Sequence, residues 1–135
     1  MKIPKEIVQQ IFDQGLRAAP NEACGYLAGK DGTVARALAL TNIDHSPEHF
    51  SLDPKEQFAA LRQLRAEGLV ILGVYHTHPE TPARPSAEDI RLACDPAVVY
   101  VIASLRDHGD IRAFRIRQGT ITHEPLIIEE HSQGC

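Results

Sequence analysis

Residues 70–94 read VILGVYHTHPETPARPSAEDIRLAC. An apolar run ends in two histidines, a proline-rich loop follows, and a serine and an aspartate open the next segment. Residues 70–75 are nearly all apolar, which is typical of a central strand buried on both faces. Residues 86–94 are predicted to form a short helix that ends at Asp95-Pro96. The stretch therefore predicts a strand, a loop and a helix, with polar side chains gathered between the strand end and the helix start.

The two histidines are placed to share one ligand. Side chains alternate along a strand, so His76 and His78 point to the same face, and Pro79 favours extended backbone at the residue before it. Asp89, in the first turn of the next helix, can add a carboxylate from across the loop. A tetrahedral zinc ion with three protein ligands keeps one position for water, as catalytic zinc sites do. The pattern therefore predicts a catalytic zinc site.

Amide hydrolysis at such a site needs more than metal ligands. A zinc ion can lower the pKa of its water to about 7. A base must take the water proton and an acid must protonate the leaving amine, and one carboxylate can do both in turn. Ser86 lies just before Asp89, where its hydroxyl could face the metal-bound carbonyl. One oxyanion donor of this kind contributes a factor of about 10²–10³ in rate.

Each half of the pattern also has a plainer interpretation. The chain contains seven histidines, so two of them at i and i+2 are not rare. Ser86-x-x-Asp89 is also a helix capping box, with a serine N-cap and an acid three residues on. Ser86 can do both jobs, which the sequence does not separate. The combination of the four residues, at this spacing and after a buried strand, favours the metal site.

The spacing is that of a known family. His76-Thr77-His78, seven residues, Ser86, two residues and Asp89 match the motif His-x-His-x7-Ser-x2-Asp of the JAMM (MPN+) metalloproteases, which this chain resembles. Residues 21–29, NEACGYLAG, are similar to the segment that carries an upstream glutamate in that family. The resemblance covers almost the whole chain and implies the family fold, a cytidine-deaminase-like α/β sheet.

The resemblance also implies roles for individual residues. His76, His78 and Asp89 would bind zinc with a water molecule, and Ser86 would steady the oxyanion. Glu22 would be the general base and then protonate the leaving amine. Without the resemblance, nothing favours this glutamate over Glu48 or Glu80. Cys24 would share a strand face with Glu22, where a small core residue is a more common role than contact with the site.

The compact prokaryotic members of the family suggest a substrate. They imply hydrolysis of an isopeptide or C-terminal peptide bond on a ubiquitin-like or sulfur-carrier β-grasp protein. The short chain leaves no room for the insertions with which eukaryotic deubiquitinases hold ubiquitin chains. The alternative is a non-catalytic scaffold module, although such modules usually lack the metal ligands. Nucleoside deamination requires His-x-Glu and Pro-Cys-x-x-Cys, and neither occurs here.

Composition narrows the function classes. Of 135 residues, 43% are hydrophobic and 24% charged, as expected for one globular domain spanning 1–135. The net charge is −4 with no basic block, which disfavours a nucleic-acid partner. No apolar run approaches the ~20 residues that span a bilayer, so no membrane partner is expected. The cysteines are odd in number and widely spaced, at Cys24, Cys94 and Cys135, which disfavours a disulfide framework. A cytoplasmic location is therefore expected. The oligomeric state is not indicated.

The remaining segments complete an α/β pattern. Asp53-Pro54 is predicted to open a helix that ends at Gly68 and buries Phe58, Leu61 and Leu64. The other predicted elements are a helix over 4–18, a hairpin of 22–29 with 33–41, a loop over 42–49, strands over 98–105, 111–117 and 121–128, and turns over 107–110 and 118–120. This order predicts a single-domain α/β fold with a mixed sheet flanked by helices.

Overall fold

The computed structural model describes residues 1–93, 95–106 and 109–130. The elements of this part of the chain are, in order, β1 (Lys2–Pro4), α1 (Lys5–Ala18), β2 (Cys24–Lys30), β3 (Thr33–Leu40), α2 (Pro54–Ala66), β4 (Val70–His78), α3 (Ala87–Leu92), β5 (Val99–Ser104), β6 (Asp110–Arg117), β7 (Thr120–Glu124) and β8 (Ile127–Glu129). Predictions for Cys94 and Cys135 lie outside the described residues, as does part of the predicted turn over 107–110.

The strand that carries both histidines lies inside the sheet. β4 pairs antiparallel with β2 and parallel with β5, and it continues through His78 rather than ending at residue 75. Its register sets His76 opposite Cys24 and His78 opposite Ser104. A Cβ at Gly73 would lie 2.8 Å from the carbonyl oxygen of Val99, so glycine allows the close approach of β5.

The sheet is curled, and its two edge strands are neighbours in the chain. The strand order is β7-β6-β5-β4-β2-β3-β1-β8, so β7 and β8 form opposite edges although only two residues separate them in the chain. The predicted single strand over 121–128 is wrong, because Pro125, which has no N–H for pairing, divides it. The short β1, which the sequence analysis did not predict, pairs parallel with both β3 and β8. The mixed sheet flanked by helices is confirmed.

Opposite faces of the sheet pack against different helices. On one face, α1 contributes Ile7 and Ile11 to a core that also contains Ile3, Leu27, Val34, Tyr75, Val99, Val101, Ala103 and Ala113. On the other face, Ala60 of α2 packs with Cys24, Tyr26 and Leu40. The histidines of β4 alternate with Tyr75, so they belong to the α2 face.

The buried side of α2 differs from the prediction. Asp53 caps the helix as expected, its carboxylate accepting the N–H of Lys55 at 3.0 Å. However, Phe58 and Leu61 are 64% and 46% exposed, and the buried positions are Ala60 and Leu64. The helix faces the sheet along its 57-60-64 line, and small Ala60 allows close approach. Phe58 and Leu61 lie on the neighbouring flank, about 100° around the helix.

None of the helices within the described ranges is both long and apolar enough to cross a membrane.

Candidate metal centre

Three ligand-type atoms meet at the end of β4. The Nε2 atoms of His76 and His78 lie 3.1 Å apart, and both imidazoles are buried. Asp89 Oδ2 lies 3.2 Å from the first nitrogen and 3.0 Å from the second. Glu22 offers a carboxylate oxygen within 4.8 Å of ligand atoms of both histidines. The structure thus brings together two predicted imidazoles and two predicted carboxylates from three separate segments.

The hydrogen of the neutral His78 ring lies on Nδ1, which leaves the lone pair of Nε2 available to a cation. His78 Nδ1 lies 2.9 Å from the carbonyl oxygen of Pro82, and because a carbonyl only accepts, Nδ1 carries the hydrogen. In the neutral ring, Nε2 then presents its lone pair to the Asp89 carboxylate. Burial by itself lowers the pKa of His78, but hydrogen bonds to Asp89 and Pro82 outweigh it and raise the pKa. For His76 burial prevails and lowers the pKa.

The spacing and the donor set fit a zinc ion. Tetrahedral bonds of 2.0–2.1 Å place neighbouring ligand atoms about 3.3 Å apart. The three atoms of His76, His78 and Asp89 are separated by 3.0 to 3.2 Å. Two imidazole nitrogens and one carboxylate oxygen form a set typical of zinc, and three protein ligands leave a coordination position open. The residues present therefore fit the expected metal.

Asp89 is oriented by the turn that begins α3. The N–H of Ser86 donates to Asp89 Oδ2 at 2.9 Å, and the N–H of Asp89 donates to Ser86 Oγ at 3.0 Å. This reciprocal pair is the capping box that the sequence offered as the plainer interpretation. It also fixes the oxygen that faces the histidines. Burial raises the pKa of Asp89, but hydrogen bonds from the two histidines and from Ser86 N–H outweigh it and lower the pKa.

Glu22 lies buried beside the cluster with an unpaired oxygen. It precedes β2 and is 3% exposed, and its Oε1 has no hydrogen-bond partner among the described residues. Burial raises its pKa from 4.5 to about 8, opposed by His78 and assisted by Asp89 and Glu48. The alternatives Glu48 and Glu80 are both exposed. A carboxyl group of this kind can take up and release a proton near neutral pH.

The ring of Phe50 stacks on the imidazole ring of His76. The two ring centroids are 4.9 Å apart and the planes are inclined by 29°. This contact limits rotation of the imidazole about its side-chain bonds. Sequence reasoning missed Phe50, because nothing in the short segment around it signals which distant residue it meets.

Hydrogen bonds and apolar contacts fix the loop between His78 and Ser86. Pro82 accepts from His78, and Ser104 Oγ donates to the carbonyl oxygen of Thr81 at 2.6 Å. Ala83 is buried against Ile102 and Phe114. These contacts fix the distance between the β4 histidines and Asp89, and they were not predicted from the sequence.

Cys24 belongs to the core rather than to the cluster. Its side chain is fully buried, and Sγ lies 3.7 Å from the carbonyl oxygen of Leu40, to which it can donate. Burial, with smaller effects of Glu56 and Glu22, raises the pKa of the thiol to about 12. The protonated thiol in an apolar setting confirms the interpretation of this residue as a small core side chain.

A cleft of about 700 Å³ opens beside the cluster, with His76 and Asp89 on its wall. The apolar part of the wall includes Phe50, Leu61, Ile71, Leu92, Tyr100 and Ile116. The exposure of Leu61 and Leu92 is explained by this cleft, which they help to form. Its apolar walls can bind an extended peptide segment next to the polar cluster.

Comparison with known families agrees with this geometry. The family described as "Prokaryotic homologs of the JAB domain" matches residues 4–117. The chain belongs to this family. The expected relationship to the JAMM/MPN+ proteins is therefore confirmed.

Individual relatives have related activities. The chain is similar to the CysO-cysteine peptidase of Mycobacterium tuberculosis strain H37Rv, with 36% identity over 132 residues that cover 95% of this chain and 90% of the relative. It is also similar to a probable TtuB-protein conjugate cleaving protease of Thermus thermophilus, with 36% identity and coverage of 87% and 76%. The solution structure of protein DSY2949 from Desulfitobacterium hafniense has a TM-score of 0.90 and 43% identity, covering 98% and 96%. The family therefore includes peptidases of the expected type.

Proposed function

We propose that this JAB-family protein is a zinc-dependent peptidase that releases an amino acid or a protein from the C-terminus of a ubiquitin-like or sulfur-carrier β-grasp protein. The observation that carries the proposal is the cluster of His76, His78 and Asp89, with ligand atoms 3.0 to 3.2 Å apart, beside the buried Glu22, whose Oε1 has no hydrogen-bond partner in the described part of the chain. A purely structural role gives no reason to bury a carboxylate without a partner.

In this proposal, His76 Nε2, His78 Nε2 and Asp89 Oδ2 hold the zinc ion. When bound, zinc acidifies a water molecule and polarises the scissile carbonyl. Pro82 keeps the hydrogen of His78 on Nδ1, which leaves Nε2 free to bind. Phe50 maintains the ring plane of His76. The backbone of Ser86 keeps Oδ2 of Asp89 pointed at both rings.

In the proposed reaction, Glu22 transfers a proton from the attacking water to the departing amine. Its carboxylate takes a proton from the attacking water and gives it to the departing amine, so one group acts first as base and then as acid. Burial raises the pKa of Glu22 and a nearby zinc ion would lower it again, and a carboxyl group under these opposing influences can act first as base and then as acid. The hydroxyl oxygen of Ser86 accepts from Asp89 N–H, which leaves its hydrogen free to donate to the developing oxyanion.

The substrate class rests on the relatives and on the cleft. The mycobacterial relative is named for a CysO-cysteine bond and the Thermus relative for TtuB-protein conjugates. The apolar cleft beside the cluster suits the extended tail of such a carrier, with the scissile bond next to the cluster. The proposal includes a single domain over 1–135 and the cytoplasmic location expected from the sequence.

The deciding experiment measures zinc content and cleavage together. Purified protein is incubated with CysO-cysteine and with a TtuB-protein conjugate, with and without a chelator, beside Glu22→Gln. We expect about one zinc ion per chain and chelator-sensitive cleavage of at least one conjugate, which Glu22→Gln lacks. Bound zinc with no cleavage of either conjugate would contradict the proposal and favour a non-catalytic, metal-binding scaffold module. Absence of zinc binding would contradict the metal centre itself.

A further inference from the structure

The side chain of Asn42 hydrogen-bonds to the main chain of the proposed base, Glu22, and to the loop that carries Phe50, whose ring stacks on His76. It lies two residues after the end of β3 and is only 8% exposed. Its Nδ2 donates to the carbonyl oxygens of Glu22 at 3.1 Å and of His49 at 3.0 Å. Its Oδ1 accepts the N–H groups of Asp44 at 3.0 Å and Ser51 at 3.3 Å. Both donor and both acceptor positions of the amide are therefore used.

The four contacts allow only one orientation of the amide. Two partners are carbonyl oxygens, which need donors, and two are N–H groups, which need an acceptor. A rotated amide would oppose like groups at all four positions. A buried and fully satisfied amide of this kind fixes the segments around it, because breaking any contact leaves a polar group without a partner.

The first segment fixed by Asn42 carries Glu22. This residue lies before β2, and its main chain has partners in the loop after β3: its N–H donates to Ser46 O at 2.8 Å and its carbonyl accepts from Asn42. The position of the Glu22 carboxylate therefore depends on that loop.

The second segment carries Phe50. Asn42 bonds to His49 and to Ser51, the residues on either side of Phe50. The N–H of Ile43 also donates to Ser51 O at 3.1 Å, which holds the same stretch against the start of the loop. Phe50 in turn stacks on His76, with centroids 4.9 Å apart. One amide thus sets both the backbone of the proposed base and the ring behind a proposed ligand.

We propose that Asn42 is a positioning residue of the peptidase site, which holds Glu22 and the Phe50–His76 stack in register with each other. The role in turnover rests on the proposed function, whereas the coupling of the two segments does not. In an active site, a misplacement of about 1 Å can cost about 10² in rate. Asn42 contacts neither substrate nor metal in this role and acts through the residues that do.

The test uses Asn42→Asp. Aspartate has the same shape and keeps the acceptor for Asp44 and Ser51, but it replaces both donated hydrogen bonds by repulsion between oxygens. Thr41→Ala is the matched control, because Thr41 Oγ1 donates to Glu56 Oε2 at 2.9 Å and ties the same stretch to α2 instead. With CysO-cysteine as the probe, we expect kcat of Asn42→Asp to fall at least about tenfold with KM changed less than about threefold, and zinc content unchanged. Thr41→Ala should keep its kcat within about twofold.

A second readout does not depend on activity. Nuclear Overhauser effects between the rings of Phe50 and His76, measured on the zinc-loaded protein, should be present in the wild type and in Thr41→Ala and lost in Asn42→Asp. Ring contacts retained in Asn42→Asp would overturn the proposal, as would an equal loss of kcat in Thr41→Ala. If the wild type cleaves neither CysO-cysteine nor a TtuB-protein conjugate, the proposed function fails, and the ring contacts alone then decide the role of Asn42.

Discussion

Thr77 Oγ1 accepts the backbone N–H of Ala23 at 2.8 Å, and the N–H of Thr77 donates to the carbonyl oxygen of Ala23 at 2.9 Å. The residue between the two histidines thus holds the residue after Glu22. Its side chain points to the α1 face, where a Cβ on Gly15 would lie 2.8 Å from its methyl group. The proposed base and the proposed ligands are therefore connected through one buried hydroxyl.

Thr77→Val removes this hydroxyl and keeps the shape of the side chain. The buried N–H of Ala23 then loses its partner, so we expect the free energy of unfolding to fall by about 1–3 kcal/mol. Urea denaturation measures the change. Thr77→Ser keeps the hydroxyl and serves as the control: it should retain more cleavage activity than Thr77→Val, although it loses a buried methyl group. Equal activity of the two variants would show that the hydroxyl does not position Glu22.

Glu22→Gln is expected to lower kcat for conjugate cleavage by about 10²–10⁴, because an amide can neither take nor release the proton. Zinc content should stay near that of the wild type, since the three closest ligand atoms come from other residues. Metal analysis and steady-state kinetics on the same preparation measure both. A variant that retains wild-type kcat would remove Glu22 from the proton transfer.

Most of the cluster follows from local spacing, whereas its surroundings do not. Alternation along a strand predicts that His76 and His78 share a face, and a capping box predicts Ser86 and Asp89 at a helix start. Glu22 has no local signal, because it reaches the cluster only through the pairing of β2 with β4. It came from the family resemblance, and its role as base stays a prediction.

The misassigned face of α2 has a similar cause. Periodicity identifies apolar positions, and it predicted Phe58 and Leu61 as core because most apolar stripes are buried. Here the helix packs on the sheet through Ala60 and Leu64, and Leu61 faces a cleft. A sequence pattern does not distinguish an apolar side chain that lines a binding cleft from one that fills a core. The contacts of Phe50 and Pro82 were missed for the related reason that they depend on loop geometry.

His78→Ala should abolish stable zinc binding, because only one imidazole and the carboxylate of Asp89 remain at contact distance. We expect zinc content below about 0.1 per chain after dialysis, and loss of the zinc-dependent rise in thermal stability that binding to the folded state produces. Cys24→Ala is the control, since its thiol lies in the core, and it should retain zinc. Loss of zinc in Cys24→Ala alone would identify the thiol as a ligand and contradict the proposed donor set.

Ser86→Ala separates the cap from the proposed oxyanion donor, because the two roles have different readouts. Loss of the cap should lower the free energy of unfolding by about 1 kcal/mol. Loss of the hydroxyl donor should lower kcat by about 10²–10³. Ser86→Thr keeps both groups and should change each quantity much less. A stability loss with unchanged kcat would restrict Ser86 to the cap.

The buried carboxyl of Glu22 predicts how the stability of the metal-free protein depends on pH. Its pKa is raised from 4.5 to about 8, so the folded state favours the protonated form. The resulting stabilisation is fully present below about pH 4.5 and is lost as the pH rises through about 8.

Metal-free wild type should therefore lose stability relative to Glu22→Gln across that interval, by on the order of a few kcal/mol. The difference should level off at higher pH, and urea denaturation of chelator-treated protein at several pH values measures it. Titrations of the histidines and Asp89 occur in both proteins and largely cancel in the comparison. Added zinc should weaken the trend, because a nearby cation stabilises the carboxylate. A difference that stays constant between pH 5 and 9 would show that Glu22 titrates near its ordinary pKa and is not held in a desolvated position.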